Sequence, residues 1–164
     1  MRGQFGGAAV LSCDAMSNPD PATALAAAVT QALYARDPAA RQLGIQIRHC
    51  GPGRAELTMT VTDAMLNGHG TCHGGYLFTL ADTAFAYACN SGNELTVGQH
   101  ASIDYLRPAR AGEMLTALAR EVKRGPRSGV YDVTVLGADG EPVALFRGLS
   151  RSRPGTPVIE DTAP

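Results

Sequence analysis

Gly74-Gly75-Tyr76-Leu77-Phe78-Thr79-Leu80-Ala81-Asp82-Thr83-Ala84-Phe85-Ala86-Tyr87-Ala88-Cys89-Asn90 is the stretch on which the fold turns. Leu77, Leu80, Ala81, Ala84, Phe85 and Ala88 recur at helical spacing, and the other faces carry Tyr76, Phe78, Ala86 and Cys89. A helix that is apolar nearly all round is covered on most sides. The spacing therefore predicts one long buried helix, ended by Ser91-Gly92-Asn93.

In both directions from this helix a period of two takes over. Upstream, Ile45 and Ile47 alternate with Gln46 and Arg48. After the Gly51-Pro52-Gly53 turn, Ala55, Leu57, Met59 and Val61 alternate with Glu56, Thr58 and Thr60. That is a β-hairpin with one buried and one wet face. Downstream, strands are expected at about 96–106, 113–124, 129–136 and 143–152, separated by Arg107-Pro108, Gly125-Pro126 and Ala138-Asp139-Gly140. Further upstream, Asp20-Pro21 reads as an N-cap with proline at the first helical position. Leu25, Ala28, Val29, Ala32 and Leu33 continue that helix until Asp37-Pro38 stops it.

No strand–helix–strand alternation is present, which excludes a doubly wound sheet. The expected class is α+β, an antiparallel sheet wrapped around one long central helix. The sheet's other face then needs cover, partly from the N-terminal helix and partly from another subunit. Residues 1–18 read as a disordered leader, 19–153 as a single domain and 154–164 as a loose C-terminal tail.

Composition narrows the function. A chain of 164 residues fits one domain with a real core. A formal net charge of −1 and 18% charged residues give no electrostatic basis for binding nucleic acid or a membrane surface. No run is long enough for a spanning helix. Cys13, Cys50, Cys72 and Cys89 lack CxxC spacing and read as reduced thiols of a cytoplasmic protein. Ala8 to Cys13 faintly resembles a lipoprotein signal, but its apolar run is short and Arg2 is its only positive charge. A leader, or a true start at Met16, is the plainer reading.

The chemistry concentrates in Asn67-Gly68-His69-Gly70-Thr71-Cys72-His73-Gly74-Gly75 and the helix that follows. Two glycines where a loop enters a helix leave N–H groups bare and approachable, and the helix start adds partial positive charge. Gly74 and Gly75 can therefore hold a carbonyl oxygen as negative charge develops on it; the alternative is a tight turn and nothing more. Asp82 is the only charged residue between His73 and Glu94. A carboxylate on a buried helix must be paired, protonated or set in a cavity for use. Its functional reading is a general base or nucleophile in a partly dry pocket; its structural one is a salt bridge to a strand arginine. His73 can donate a hydrogen bond or cap the helix, Asn67 can orient water or substrate or make a turn, and Thr83 can be a donor beside Asp82 or a helix-surface hydroxyl. His69, Cys72 and His73 lack a distant partner set, so no metal site is expected. No phosphate or dinucleotide fingerprint occurs, and no cofactor is expected.

Met65-Leu66-Asn67-Gly68-His69, Cys72-His73-Gly74-Gly75, the run Leu80 to Asn90, Asp104-Tyr105-Leu106-Arg107-Pro108, Gly129-Val130-Tyr131-Asp132 and Val143 to Gly148 closely resemble the phenylacetyl-CoA thioesterases (PaaI type) of the hotdog superfamily. The likeness spans about residues 38–152. It implies a homotetramer of hotdog dimers with active sites at the dimer interface, hydrolysing phenylacetyl-CoA or its ring-hydroxylated relatives. It also implies Asp82 as base or nucleophile, the Gly74 N–H on the carbonyl, and Asn67 with His73 from the facing subunit's loop. Gly75 and Thr83 are expected against the substrate. A related aryl-CoA branch has a threonine one turn after the carboxylate, where this chain has Ala86, which leaves that role to Thr83 or to nothing. Two rivals remain open at this point. One is a hotdog hydratase or dehydratase, and the other is a non-catalytic acyl-CoA sensor.

Overall fold

The computed structural model describes residues 20–160, so the expected leader and the last four residues of the tail lie outside it. Helix α1 (Pro21–Ala35) begins as predicted: Asp20 accepts the Ala22 and Thr23 N–H groups at 3.0 and 3.2 Å, with Pro21 at the first position. The stop expected at Asp37-Pro38 is also a start. Asp37 accepts the Ala40 N–H at 2.9 Å and caps a second, short helix, α2 (Pro38–Gln42).

The hairpin follows as β1 (Gln46–Gly51) and β2 (Arg54–Thr60). A single 3₁₀ turn (Asp63–Met65) and a loop lead into the central helix α3 (Gly74–Asn90). Then come β3 (Thr96–Tyr105), β4 (Met114–Arg124), β5 (Ser128–Leu136) and β6 (Pro142–Ser152). All six strands form one antiparallel sheet in the order β1-β2-β4-β5-β6-β3, with β3 an open edge. Helix α3 touches every strand, so the sheet wraps it as expected.

The core lies between them. Leu77, Leu80, Ala84, Phe85 and Ala88 of α3 meet Leu57, Leu115, Val133, Val135 and Val143, all 3% exposed or less. Phe85 stacks at tilted angles on Tyr131 and Phe146, with ring centroids 5.5 and 5.8 Å away. Its ring sits directly on β6 because Gly148 has no side chain; a Cβ there would lie 2.9 Å from three ring atoms.

Two expectations are corrected. Helix α1 does not cover the far face of the sheet: it packs against β1 and α3, burying Ala26 and Val29. Leu118, Val122, Leu145 and Leu149 stay exposed on β4 and β6. Helix α3 is not buried all round either. Gly75 and Asp82 are exposed and Thr79 and Ala86 half-buried, and these four positions share one stripe of the helix. The segment after β6 runs back along the body, where Asn93 accepts the Val158 and Ile159 N–H groups at 3.1 and 3.0 Å.

Candidate active site

The loop before α3 is held in one shape by Asn67. Its side-chain oxygen accepts the His69 N–H at 2.9 Å and the Thr71 N–H and hydroxyl at 3.3 Å, and its own N–H donates to the Thr71 carbonyl at 2.8 Å. Gly70, at φ +71°, closes the turn in a conformation that few other residues adopt. The loop ends are fixed as well: His73 N–H donates to the Met65 carbonyl at 2.8 Å, and Cys72 N–H to the Ala109 carbonyl at 2.9 Å. The turn reading of Asn67 is thus met by these contacts. Its oxygen makes the turn, while its amide nitrogen has no acceptor among the described residues and lines a groove of about 440 Å³ with Gly74, Leu77 and Tyr105.

At the start of α3 the two glycines separate in role. His73 caps the helix, its Nδ1 accepting the Gly75 N–H at 3.0 Å. An imidazole whose Nδ1 accepts carries its proton on Nε2, so the ring's outer edge is a donor. The Gly75 N–H is thereby spent, and the Tyr76 N–H goes to the His73 carbonyl at 2.9 Å. The Gly74 N–H has no acceptor among the described residues and is the donor left at the positive end of the helix. Gly75 instead lines the other side, a cleft of about 500 Å³ bounded by Leu43, Leu66, His73, Tyr76 and Thr79.

Asp82 stands two turns further along, in a third cleft of about 340 Å³ with Phe85, Ala86, Gly98, Gln99 and His100. No described residue donates to its carboxyl or pairs with it, so the salt-bridge reading has no partner here. The side chain is exposed in a lone chain, yet the packed surface around it pushes the carboxyl above the usual aspartate range by desolvation. The exposure limits that rise, because water still reaches one side of the cleft.

Thr83 is buried, and its hydroxyl donates along the helix to the Thr79 carbonyl at 2.8 Å. Among the described residues no three His, Cys, Asp or Glu side chains gather as a metal set. Burial lifts the Cys72 and Cys89 thiols to about 11 and about 12, which leaves neither a thiolate nucleophile at neutral pH. No described helix is long and apolar enough to cross a membrane.

The sequence reading missed two contributors. Tyr105 donates its hydroxyl to the Gly74 carbonyl at 3.0 Å, which no spacing rule connects across 31 residues. Gln99 sits where the β3–β6 register shifts between Gly98 and His100, and that irregularity places it in the Asp82 cleft. Gly98 inside a strand was the one available signal.

The model of the thioesterase superfamily matches residues 69–144. The acyl-coenzyme A thioesterase PaaI of Escherichia coli is 51% identical over 125 residues, which cover 76% of this chain and 89% of that protein. The chain belongs to the thioesterase superfamily. Within this superfamily, the structure of the E. coli PaaI protein from the phenylacetic acid degradation operon matches with a TM-score of 0.80 at 48% identity, covering 82% of this chain and 97% of that one. A Streptococcus mutans structure bound to acetyl-CoA matches with a TM-score of 0.65 at 30% identity, over 66% and 88% of the two chains. The hotdog architecture and the PaaI-type resemblance read from the sequence are thus both borne out.

Proposed function

We propose that this chain hydrolyses the thioester of phenylacetyl-CoA or a ring-hydroxylated phenylacetyl-CoA, at sites shared between two copies. The observation that carries this is the pair of unpartnered groups on α3: the Gly74 N–H at its start and the Asp82 carboxyl on its open stripe. Eight residues separate them, or about 12 Å of helix rise. An aspartate side chain cannot span that gap, so direct attack by Asp82 on a thioester held by the Gly74 N–H of its own helix is out of reach, and the separation favours a site built from two copies. Two copies facing each other satisfy it, one giving Asp82 and the other the loop with Asn67, His73 and Gly74. Gly74 thus belongs with the loop residues by chain continuity, not with the Asp82 of its own helix. The open β3 edge and the cleft beside it support such a facing arrangement.

In this reading the thioester oxygen accepts the Gly74 N–H, and the His73 Nε2–H and the Asn67 amide are donors close by. Asp82 of the facing copy takes a proton from water as that water attacks the carbonyl carbon. The tetrahedral intermediate collapses, the C–S bond breaks, and CoA leaves as the thiol once it regains a proton. Direct attack by Asp82 to give a mixed anhydride is the other route. A single turnover in heavy-oxygen water separates them, since label reaches Asp82 only through the anhydride.

The exposed apolar residues Leu118, Val122, Leu145 and Leu149 support a second contact that joins two dimers into a tetramer. The free thiols Cys50, Cys72 and Cys89 support a reducing, cytoplasmic setting. The test is thiol release from phenylacetyl-, hydroxyphenylacetyl-, benzoyl- and short straight-chain CoA esters. Fast release from the arylacetyl esters upholds the reading; binding without release from any ester sinks it.

A further inference from the structure

The donor on which this chemistry depends is attached to the most pliable dipeptide a chain can contain. Gly74-Gly75 carries no Cβ to restrict either residue, so the helix start alone leaves the aim of the Gly74 N–H loosely set. In this chain the peptide unit between the two glycines is gripped at both ends. Its N–H donates to His73 Nδ1 at 3.0 Å, and its carbonyl accepts the Tyr105 hydroxyl at 3.0 Å. The Tyr105 ring also fills the space a side chain at residue 74 would need: a Cβ there would lie 2.8 Å from Cζ and 2.9 Å from the hydroxyl oxygen.

Tyr105 is itself firmly mounted. It ends β3, paired with Ala144 of β6, and the Leu106 N–H donates to the Val143 carbonyl at 2.9 Å. Next to it, the Arg107 guanidinium bridges Glu113 and Asp139 at 3.2 and 2.6 Å. Tyr105 is 52% exposed and walls the groove shared by Asn67 and Gly74.

We propose that Tyr105 is a positioning residue for thioester hydrolysis, locking the Gly74–Gly75 peptide so that the Gly74 N–H stays aimed at the carbonyl oxygen. The proposal rests on the thioesterase reading. A pre-aimed donor acts mainly in the transition state, where the oxygen is most negative, so its loss falls on kcat rather than KM.

The experiment compares wild type with Tyr105→Phe, Tyr105→Ala, Gly74→Ala and the double variant Gly74→Ala/Tyr105→Ala, by thiol release from phenylacetyl-CoA and by thermal melting. Tyr105→Phe keeps the ring and loses one neutral hydrogen bond, so kcat should fall about 2- to 10-fold while KM stays within about twofold. Gly74→Ala should melt below wild type, and that added loss should shrink in the Tyr105→Ala background, where the alanine methyl has room. Unchanged kcat in Tyr105→Phe, or a change confined to KM, overturns the positioning role even if the melting cycle verifies the contact. Wild-type protein that turns over no ester overturns the thioesterase reading and this proposal together. Normal wild-type turnover with an indifferent Tyr105→Phe overturns this proposal alone.

Discussion

His73 Nδ1 accepts the Gly75 N–H at 3.0 Å, and this one bond leaves the glycine pair with one N–H engaged, that of Gly75, and one without an acceptor among the described residues, that of Gly74. It also commits the imidazole to the tautomer that points Nε2–H outward. Capping and the proposed donor role are therefore separable at this residue. His73→Asn keeps a side-chain acceptor at the N-cap, whereas His73→Ala loses it at a cost of about 1 kcal/mol. The melting temperature should fall for alanine and stay near wild type for asparagine. Thiol release should fall for both, because neither offers the Nε2–H. An asparagine variant with full activity would reduce His73 to a cap.

Asp82 faces a different partner in this scheme, the loop of a second copy, and hybrids test that directly. Asp82→Ala and Asn67→Ala are each expected to be inactive alone. Mixed by co-unfolding and refolding, half of the dimers become hybrids, and each hybrid holds one site with an intact Asp82 opposite an intact Asn67. Recovery of about a quarter of wild-type activity follows from that symmetry. Hybrids verified by tag capture that stay inactive would mean that each site is built within one chain.

Much of this molecule was readable in its sequence, and the exceptions share a cause. The alternation of Ile45 to Val61 and of the four later strands set a period of two, while Leu77 to Ala88 set a helical one, because burial on one face repeats locally. In the sequence Asp20-Pro21 reads as a helix start and the same pair at Asp37-Pro38 only as a stop, although its carboxyl caps α2 in the same way. The open stripe of α3 was hidden because Gly75, Thr79 and Ala86 are small residues that suit a core and a close subunit contact equally well. Tyr105 over Gly74 and Gln99 in the Asp82 cleft depend on how β3 lies against α3, a relationship no local pattern encodes.

The glycine beneath Phe85 is a packing requirement, distinct from those at the loop. Gly148→Ala would place a methyl 2.9 Å from Cε1, Cε2 and Cζ of the ring, which is held by Tyr131 and Phe146. Overpacking of this kind costs about 1–3 kcal/mol. Urea unfolding should show that loss, with an unchanged slope. Because Phe85 and Asp82 share one turn of α3, kcat should fall as well; a variant as stable as wild type would mean that Phe85 can leave its place at no cost.

Asp82 should trade stability for activity, and the sign of its pH dependence follows from its environment. Desolvation raises its folded-state pKa above the unfolded value, so the folded chain holds this proton more tightly. Protonated Asp82 is thus favoured by folding: its contribution to stability is fully present below the unfolded pKa and is lost as pH rises through the folded one. Asparagine mimics the neutral form at every pH. Asp82→Asn should therefore unfold at higher urea than wild type near neutrality, and the difference should vanish on acidification. The same substitution should lower kcat by at least about 100-fold, as removal of a general base does. In wild type, the acid limb of kcat/KM should fall at a pH above that of an ordinary aspartate, since only the carboxylate can take the proton from water. Activity within a few-fold of wild type would remove Asp82 from the chemistry. A variant that is inactive but less stable at neutral pH would show instead that the carboxylate is paired in the assembled protein.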